Sequence, residues 1–369
     1  MTLLEQADYM PGIPDELDIK KYGIGLIGCG TIANQAHLPA YQKHGIPVVA
    51  CCDVNEEAAR ATAERFGIPF WTTNVQEFLK KTEIKVIDMA VHPDVRMDLL
   101  KEIAKNPRPV LCQKPLALDL KQAKELGDFT KENNIILGVN QQARWAPGHK
   151  ALKHLLDQGL IGNIYNIHHV MRSYQDQPGW WWTTMKHFII LDHGIHYIDL
   201  ARYFSQSPYV HQGEWERVHC TTAKLTDQNS ISPLIYSANI EFGPMGGNNP
   251  LMASLQFNNI VKAKTSHSYT WWVDGDKGSI WGHHDKLFIS MAKASSVIQE
   301  IRLDGKWFPD GFAGSMIDFI TAIDQKKKPP VTPEDNYNTV ALTAAMVISS
   351  EEGRVVERAE ILRGDKIHV

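Results

Sequence analysis

Apolar and polar positions follow two rhythms in the first 140 residues. Short apolar runs, typical of buried strands, are separated by segments whose apolar positions recur every three or four residues, as in amphipathic helices. This alternation predicts an α/β fold built on a doubly wound parallel sheet. The predicted strands are 23–27, 48–52, 86–91, 109–112 and 135–139, and the predicted helices are 55–66, 94–105 and 121–133.

Beyond residue 140 the pattern changes to a helix at 147–158 followed by successive strands. We predict an N-terminal arm at 1–20, a parallel-sheet domain at 21–140 and a second domain at 141–369. The last helix, about 339–353, is expected to pack back toward the first domain. The other predicted elements are strands at 163–171, 219–225, 235–242, 252–257, 262–272, 278–281 and 287–291, a hairpin turn at 274–278 and a helix at 311–326.

Composition and charge exclude several classes of protein. The 369 residues, 43% of them hydrophobic, are enough for two globular domains. No apolar run reaches the roughly 18 residues that cross a bilayer, and residues 1–20 lack the pattern of a signal peptide. A net charge of -4 without a basic cluster argues against nucleic-acid binding. The five cysteines are odd in number and lie mostly in apolar runs, so we predict reduced thiols in a cytoplasmic protein.

A glycine-rich turn follows the first predicted strand. Residues 28–33 read Gly-Cys-Gly-Thr-Ile-Ala, the G-x-G-x-x-A form of the dinucleotide-binding fingerprint. Gly28 allows the tight turn, Gly30 lets a pyrophosphate approach the backbone, and Ala33 lets the helix pack on the strand. The phosphates would lie at the N-terminus of the following helix. We therefore predict a Rossmann domain at 21–140, with Gly28, Gly30, Thr31 and Ile32 at the cofactor.

Further candidate ligand groups follow the ends of the other strands, where open α/β sheets bind ligands. Asp53 ends the second strand, where a carboxylate accepts hydrogen bonds from ribose hydroxyls and repels a 2′-phosphate, so NAD is predicted rather than NADP. Lys114 stands between a buried strand and Pro115, although a surface lysine in a loop is the alternative. The remaining candidates for cofactor binding are Ala90, His92, Gln113, Lys114, Asn140 and Gln142.

The segment 188–204 is predicted to be a helix with a polar stripe. Asp192, His196 and Asp199 fall at i, i+4 and i+7 on one face, beside a stripe of apolar residues. Gly194 lies on another face, where a side chain would block close packing. A histidine with a carboxylate one turn away on either side suits general acid/base chemistry. The alternative is a polar helix face with a satisfied histidine.

A loop rich in tryptophan precedes this helix. Tryptophan faces stack on the C–H faces of sugar rings, and Arg172 and His187 can bind hydroxyls or a carboxylate. Trp180 or Trp182 is the predicted substrate contact, while the alternative is that one or more of these tryptophans are core or interface residues. We predict no metal site. The chain has neither a C-x-x-C nor an H-E-x-x-H pattern, and adjacent histidines on a strand point to opposite faces.

These motifs, in this order, resemble the Gfo/Idh/MocA family (glucose–fructose oxidoreductase, inositol dehydrogenase and MocA). The likeness rests on residues 28–33, 113–117, 140–147, 192–199 and the late helix at 340–355, and it covers nearly the whole chain beyond Lys20. It implies an N-terminal Rossmann domain and a C-terminal α+β domain with a large open, mainly antiparallel sheet. The outer face of that sheet would form homodimer or homotetramer contacts.

The resemblance also implies a nicotinamide cofactor and a polyhydroxylated small-molecule substrate. The catalytic lysine of the family falls on Lys114, and its catalytic aspartate and histidine fall on Asp192 and His196. Two residues depart from the family pattern: Gln113 replaces a usual glutamate and Arg96 replaces a frequent histidine.

We therefore predict an NAD-dependent dehydrogenase that oxidises a secondary or hemiacetal hydroxyl of a sugar, cyclitol or sugar acid. His196 would act as the general base, Lys114 would stabilise the developing oxyanion, and Asp192 would orient His196 or bind a hydroxyl. Asp199 is predicted to be structural. One alternative retains NAD in a redox-neutral epimerisation, oxidoreduction or glycoside cleavage, and another is a non-catalytic nucleotide sensor. The substrate contacts predicted in the second domain are Arg172, Trp180, His187, Asp192 and His196.

Overall fold

The computed structural model of the chain describes residues 3–209, 213–243 and 251–364. These residues form two compact units. The first, which we call the parallel-sheet unit, comprises Met10–Ala146 and Gly305–Tyr337, and the mixed-sheet unit comprises the other described residues. The domain limits predicted at residues 20 and 140 stay predictions, because contacts within a unit do not test which segment folds independently.

The parallel-sheet unit contains the doubly wound sheet that the apolar runs predict. Its strands follow the order β3-β2-β1-β4-β5-β6, and every pair is parallel. All residues of β1 are buried, as expected of a strand covered on both faces. The strands are β1 (Gly23–Ile27), β2 (Val48–Cys52), β3 (Trp71–Thr72), β4 (Ile84–Met89), β5 (Val110–Gln113) and β6 (Leu137–Asn140). The helices are α1 (Leu38–Lys43), α2 (Glu56–Phe66), α3 (Val75–Leu79), α4 (Arg96–Ile103) and α5 (Leu120–Glu132).

Local sequence explains where several of these helices begin. The side chain of Asn55 accepts a hydrogen bond from the backbone N–H of Ala58 at the start of α2, and Asp119 does the same for Gln122 at the start of α5. Gly67 ends α2 in the left-handed conformation, with φ of 66°. Because the strands are parallel, the strand-to-helix loops and the candidate cofactor residues on them lie at one edge of the sheet.

The mixed-sheet unit is built on a second, mainly antiparallel sheet of the order β14-β13-β12-β11-β7-β10-β9-β8-β15. The two strands β7 and β10 pair in parallel, and the other pairs are antiparallel. The strands are β7 (Ile164–Arg172), β8 (Trp215–Ala223), β9 (Ile235–Phe242), β10 (Leu251–Asn258), β11 (Ser268–Gly275), β12 (Gly278–Gly282), β13 (Lys286–Met291), β14 (Gln299–Arg302) and β15 (Val356–Glu357). The other helices of the chain are α6 (Pro147–Asp157), α7 (Ile195–Ser205), α8 (Phe312–Asp324), α9 (Pro333–Glu352) and α10 (Arg358–Arg363).

A buried polar network fixes α7 within the mixed-sheet unit. The hydroxyl of Thr339 donates to Asp199 at 2.9 Å, and Arg202 donates to the same hydroxyl at 2.7 Å. Arg202 also forms an ion pair with Glu214. Asp199 and Arg202 are fully buried, so both are scaffold residues. This confirms the prediction that Asp199 is structural.

Several sequence predictions about elements were wrong. The short elements α3, β3, β14, β15 and α10 were missed. The strand predicted at 262–272 begins only at Ser268, after a 3₁₀ turn at Lys264–Ser266, and the last long helix begins at Pro333 rather than near 339. Proline is favoured in the first turn of a helix, where its missing N–H costs nothing. The helix predicted at 188–204 is π-helical over Ile189–Gly194 before α7 begins.

Three further observations concern the cysteines, membrane-spanning helices and metal ligands. All five cysteines are buried free thiols. Among residues 3–209, 213–243 and 251–364, no helix is both long and apolar enough to cross a membrane. The same part of the chain holds no group of three or more histidine, cysteine, aspartate or glutamate side chains that could bind a metal ion.

Candidate functional site

The glycine turn after β1 has the geometry that a bound pyrophosphate needs. Gly28 has a φ of 98°, and a Cβ atom there would lie 2.6 Å from the carbonyl oxygen of Ala90, so only glycine fits. Around Gly30, in contrast, no described atom outside the glycine and its two chain neighbours lies within 4 Å of the Cβ position. The fully buried Ala33 packs in the core behind the turn. The turn therefore presents open backbone at Gly30 on a rigid base.

The carboxylate of Asp53 is held beside this turn by main-chain groups. The backbone N–H of Cys29 donates to one oxygen at 2.7 Å, and the N–H of Asn55 donates to the other at 2.8 Å. Two charge-assisted hydrogen bonds of this kind keep the side chain in a single orientation. A fixed negative charge at the end of β2 suits ribose hydroxyls and opposes a 2′-phosphate.

Amide side chains without protein partners are concentrated after β5 and β6. Gln113, Asn140, Gln141 and Gln142 are all buried, and each has at least one amide atom with no hydrogen-bond partner among the described residues. Burying such a group unsatisfied costs on the order of 1–3 kcal/mol. Their number fits a polar ligand such as a nicotinamide nucleotide. Gln141 lies directly before the 3₁₀ turn at Gln142–Trp145, and it was not among the cofactor residues selected from the sequence.

Lys114 is half-buried at the end of β5, in a loop held by Arg96. The guanidinium of Arg96 donates to the carbonyl oxygen of Pro115, to that of Leu116 at 2.8 Å and to that of Val91 at 2.7 Å. Arg96 is only 1% exposed. One buried cation thus joins the loop that carries Lys114 to the loop that carries Ala90 and His92, a role that sequence reasoning missed.

In the mixed-sheet unit, Asp192 and His196 lie on either side of the change from π-helix to α-helix. Asp192 is half-buried, and His196 is 7% exposed in the first turn of α7. Any Cβ atom on Gly194 would collide with the carbonyl oxygen of Ile189, which confirms that close packing there requires glycine. Single π-helical turns are frequent at functional sites. The neighbouring His193 ring pairs with the side-chain amide of Asn259, Nδ1 to Nδ2, at 3.1 Å.

The tryptophan-rich loop is ordered by its own contacts. Asp176 is buried and accepts hydrogen bonds from the backbone N–H groups of Asn229 and Ser230. Trp182 donates to the carbonyl oxygen of Gln175 and stacks on Phe188 with ring centroids 5.5 Å apart. Trp180 lies against Trp182 but is 46% exposed, so its outer face is open to a ligand.

Arg172 and His187, which the sequence analysis predicted together as substrate contacts, have different partners in the structure. Nε2 of His187 lies 3.3 Å from the carboxylate of Glu351, so this imidazole already has an acidic partner. Arg172 ends β7 and is exposed, and its Nε donates to the carbonyl oxygen of Ser266 at 3.2 Å. Arg172 therefore keeps further N–H donors for an anionic ligand group, whereas one of the two ring nitrogens of His187 already faces a carboxylate.

Comparison with known families decides the classification. A family model described as an oxidoreductase family with an NAD-binding Rossmann fold matches residues 22–141. The model of the GFO/IDH/MocA C-terminal domain matches residues 149–287. The chain belongs to the Gfo/Idh/MocA family. It is therefore an oxidoreductase-family protein with an NAD-binding Rossmann domain, as the sequence motifs had predicted.

Individual members of the Gfo/Idh/MocA family resemble the chain at low identity. D-apiose dehydrogenase of Paraburkholderia graminis is 24% identical, over 92% of this chain and 90% of its own length. An oxidoreductase of Agrobacterium radiobacter, solved in complex with NAD⁺, L-tartaric acid and magnesium, has a TM-score of 0.79 at 21% identity, covering 92% of this chain and 99% of that one. Levoglucosan dehydrogenase, solved with NADH and levoglucosan, has a TM-score of 0.77 at 20% identity, covering 91% and 99%. These two structures support the fold.

Other family relatives match only in part. The chain covers 42% of the length of each of two uncharacterized oxidoreductases of Schizosaccharomyces pombe, at 25% and 27% identity. The departure of Gln113 and Arg96 from the family pattern stays a prediction. The structure gives Arg96 a structural partner set and leaves Oε1 of Gln113 without a partner among the described residues.

Proposed function

We propose that the protein is an NAD-dependent dehydrogenase that oxidises a hydroxyl of a sugar, a cyclitol or a sugar acid. The observation that carries the proposal is a buried His196 four residues after a half-buried Asp192 in one helical segment, in a chain that also has the dinucleotide turn. A protein that only binds nucleotide has no need of this pair. Relatives named as D-apiose dehydrogenase and scyllo-inositol 2-dehydrogenase support the substrate class.

NAD is the proposed cofactor rather than NADP. Asp53 supports this choice, because its carboxylate is fixed by the N–H groups of Cys29 and Asn55 where the adenosine ribose would bind. The unpartnered amides of Gln113, Asn140 and Gln142 would then receive the polar groups of the nicotinamide half. Ala90, His92, Thr31 and Ile32 would complete the cofactor site, as the sequence predicts.

The proposed reaction balances as one two-electron oxidation. The cofactor supplies the hydride acceptor when bound, so a CH–OH carbon becomes a carbonyl, and NADH and one proton are the other products. The imidazole of His196 would take the hydroxyl proton, and Asp192 would orient that imidazole. The ammonium of Lys114 would donate a hydrogen bond to the reacting oxygen as negative charge develops on it. Trp180, Arg172 and His187 would contact the rest of the substrate.

Gln113 favours a second candidate function. It replaces the glutamate usual before the family lysine, and its Oε1 is buried without a partner among the described residues. This change supports a reaction in which NAD stays bound and the hydride returns to the product, as in an epimerisation. NAD released by denaturing the purified protein, with no net NADH formed from any substrate, would favour this candidate.

A substrate screen with matched variants tests the main proposal. Sugars, polyols and sugar acids are offered with NAD and with NADP, and NADH or NADPH formation is followed by absorbance. His196→Ala should lower turnover about 10²-fold or more while NAD affinity stays nearly unchanged, because only the proton acceptor is lost. His219→Ala, an exposed histidine on β8, is the control and should behave as wild type.

Two results would count against the assignment. Wild-type turnover in His196→Ala would remove His196 as the general base. A clear preference for NADP would contradict the role of Asp53.

A further inference from the structure

A cavity of about 300 Å³ lies in the mixed-sheet unit, at the end of β7 and the beginning of β11. It is a shallow cavity that is open to solvent, and its volume is at the lower end of the range for small-molecule sites. The residues that line it include Met171, Arg172, Ser173, His267, Tyr269 and His284.

Two chains of contacts join this cavity to the helix that carries Asp192 and His196. In the first, the hydroxyl of Ser173 lies 3.2 Å from Oδ1 of Asn259, whose amide pairs with His193. In the second, Tyr197 lies against Met171 and Tyr269, with its hydroxyl 3.7 Å from the Met171 sulfur. His193 lies three residues before His196, and Tyr197 follows it directly. The cavity therefore borders the segment where we place the proton acceptor.

The charge of the cavity is set by Arg172. Its guanidinium contacts only the backbone and hydroxyl oxygens of Ser266, and it has no carboxylate partner among the described residues. No aspartate or glutamate is among the lining residues; Asp285, next to His284, lies outside them. An arginine without an acidic partner at the edge of a small cavity is suited to bind a carboxylate through two parallel hydrogen bonds.

The remaining walls suit the carbon chain of a small polyol. The Tyr269 ring is buried and stacks on His284, with centroids 4.2 Å apart and planes 10° apart. The Tyr269 hydroxyl is fixed by Nε2 of His149 at 2.5 Å. Burial is the main reason that the pKa of His284 lies below its usual value, with Asp285 opposing the shift and His283 adding to it, so His284 offers a neutral ring. The only permanent positive charge in the lining is therefore that of Arg172.

We propose that this cavity is the subsite for the carboxylate of a sugar acid, bound by Arg172, while the hydroxyl to be oxidised lies at His196. This inference rests on the proposed function, because it assigns the other end of the same substrate. It narrows the substrate class to hydroxy acids of about monosaccharide size. A carboxylate is favoured over a phosphate dianion because the lining offers one cation.

The test compares each acid with its neutral counterpart in the full-length protein. D-Galacturonate and D-gluconate are paired with D-galactose and D-glucose, and D-glucose 6-phosphate is added as the phosphate arm. We expect kcat/KM for the better acid to exceed that of its neutral partner at least tenfold. Arg172→Gln should raise KM for the acid about 10- to 100-fold and lower kcat/KM for the neutral sugars by a much smaller factor, because the charge-assisted pair exists only with the acid.

Two further variants control for charge and for folding. Arg172→Lys keeps the charge but not the planar fork and should lose part of the affinity. Arg217→Gln removes a half-buried arginine that pairs with Glu241 on the same sheet and should change nothing for the acid. Equal use of acids and neutral sugars, no effect of Arg172→Gln, or a preference for the phosphate arm would each overturn the proposal.

A binding measurement separates this proposal from the proposed function. Calorimetric titration of the NADH-loaded protein with D-galacturonate and D-gluconate detects the subsite even if no substrate is oxidised. Binding that depends on Arg172 without any NADH formation would contradict the proposed dehydrogenase function and support the carboxylate subsite. Turnover of neutral sugars without binding of either acid would support the dehydrogenase function and contradict the subsite.

Discussion

Arg96 holds two loops through hydrogen bonds from one buried guanidinium. Its acceptors are the main-chain carbonyl groups of Val91, Pro115 and Leu116. Because each bond fixes backbone rather than a side chain, movement of Arg96 would move whole loops. One of those loops carries Lys114. Its ammonium would have to be held within a few tenths of an ångström of the position from which it can donate a hydrogen bond to the reacting oxygen. Arg96 is thus a positioning residue in the proposed reaction.

We predict that Arg96→Lys lowers kcat about 10- to 100-fold, with a smaller change in KM and in NAD affinity. An ammonium keeps the charge but cannot reach three carbonyl groups in a fork, so Lys114 would be held less well. Steady-state kinetics at a temperature where the variant is folded measures the split between kcat and KM. Arg60→Lys, an exposed substitution on α2, is the matched control.

Chemical rescue of turnover distinguishes a positioning role of Arg96 from a role in the stability of the fold alone. Guanidinium added at low concentration should restore part of the turnover of Arg96→Ala if the missing group acts through the loop geometry. A variant that only melts earlier, with unchanged kcat per folded molecule and no rescue, would show Arg96 to be structural alone.

At the scale of elements, the sequence predicted elements with a clear local pattern well and elements without one poorly. β1, β2 and β9 match the predicted bounds because apolar composition and flanking turns are local signals. The two-residue strands β3 and β15 carry no periodicity and exist only because a neighbouring strand pairs with them. The π-helical turn before α7 is likewise set by packing at Gly194 and not by composition.

Some features of the candidate site could be predicted from the sequence, and others could not. Residues at the ends of parallel strands could be predicted, because those ends share one edge of the sheet. The partners of Arg96 could not, since they are carbonyl groups whose positions depend on how two loops fold. The different partners of Arg172 and His187 also depend on tertiary contacts. Arg172 donates a hydrogen bond to Ser266, whereas His187 lies beside the carboxylate of Glu351.

The connection between α1 and the segment before α8 gives an element-scale prediction about pH. The carboxylate of Asp310 is fully buried and accepts hydrogen bonds from Lys43, His44 and the backbone N–H of Lys306. Burial alone would raise the pKa of Asp310, but the hydrogen bonds and the charge of Lys43 outweigh it and hold the pKa below its ordinary value. Its contribution is therefore present above the unfolded-state pKa near ~3.9 and is lost as the pH falls through the folded-state pKa.

Asp310→Asn should lower the free energy of unfolding by about 1–3 kcal/mol at pH 7 and flatten its decline on acidification. Denaturant unfolding between about pH 2.5 and 7 measures both effects. Asp15→Asn, at an exposed carboxylate of the N-terminal segment, should leave the curve unchanged. A parallel downward shift at every pH, with the same acid slope as wild type, would show that ionisation of Asp310 is not the cause.

At the scale of the whole molecule, one face of the mixed sheet is rich in aromatic residues. Strand register places His168, Trp272, Trp281 and Phe288 in one row across β7, β11, β12 and β13. Each is half-buried, whereas Trp271, on the opposite face of β11, is fully buried. Trp281 and Phe288 stack with centroids 5.6 Å apart. A continuous aromatic row that its own chain covers only partly is typical of a protein–protein interface.

We therefore expect the protein to form a homodimer or homotetramer through this face. A stable contact buries about 800 Å² or more per partner, and two indole rings near its centre would supply a large share of the binding energy. The double variant Trp272→Glu/Trp281→Glu should dissociate to the monomer, because association would then bury four unpaired carboxylates in a dimer. Light scattering coupled to size-exclusion chromatography measures the mass, and Val54→Glu, at the most exposed valine of the other unit, should leave it unchanged. A monomeric wild type, or a double variant that keeps the wild-type mass, would assign the aromatic row to another partner.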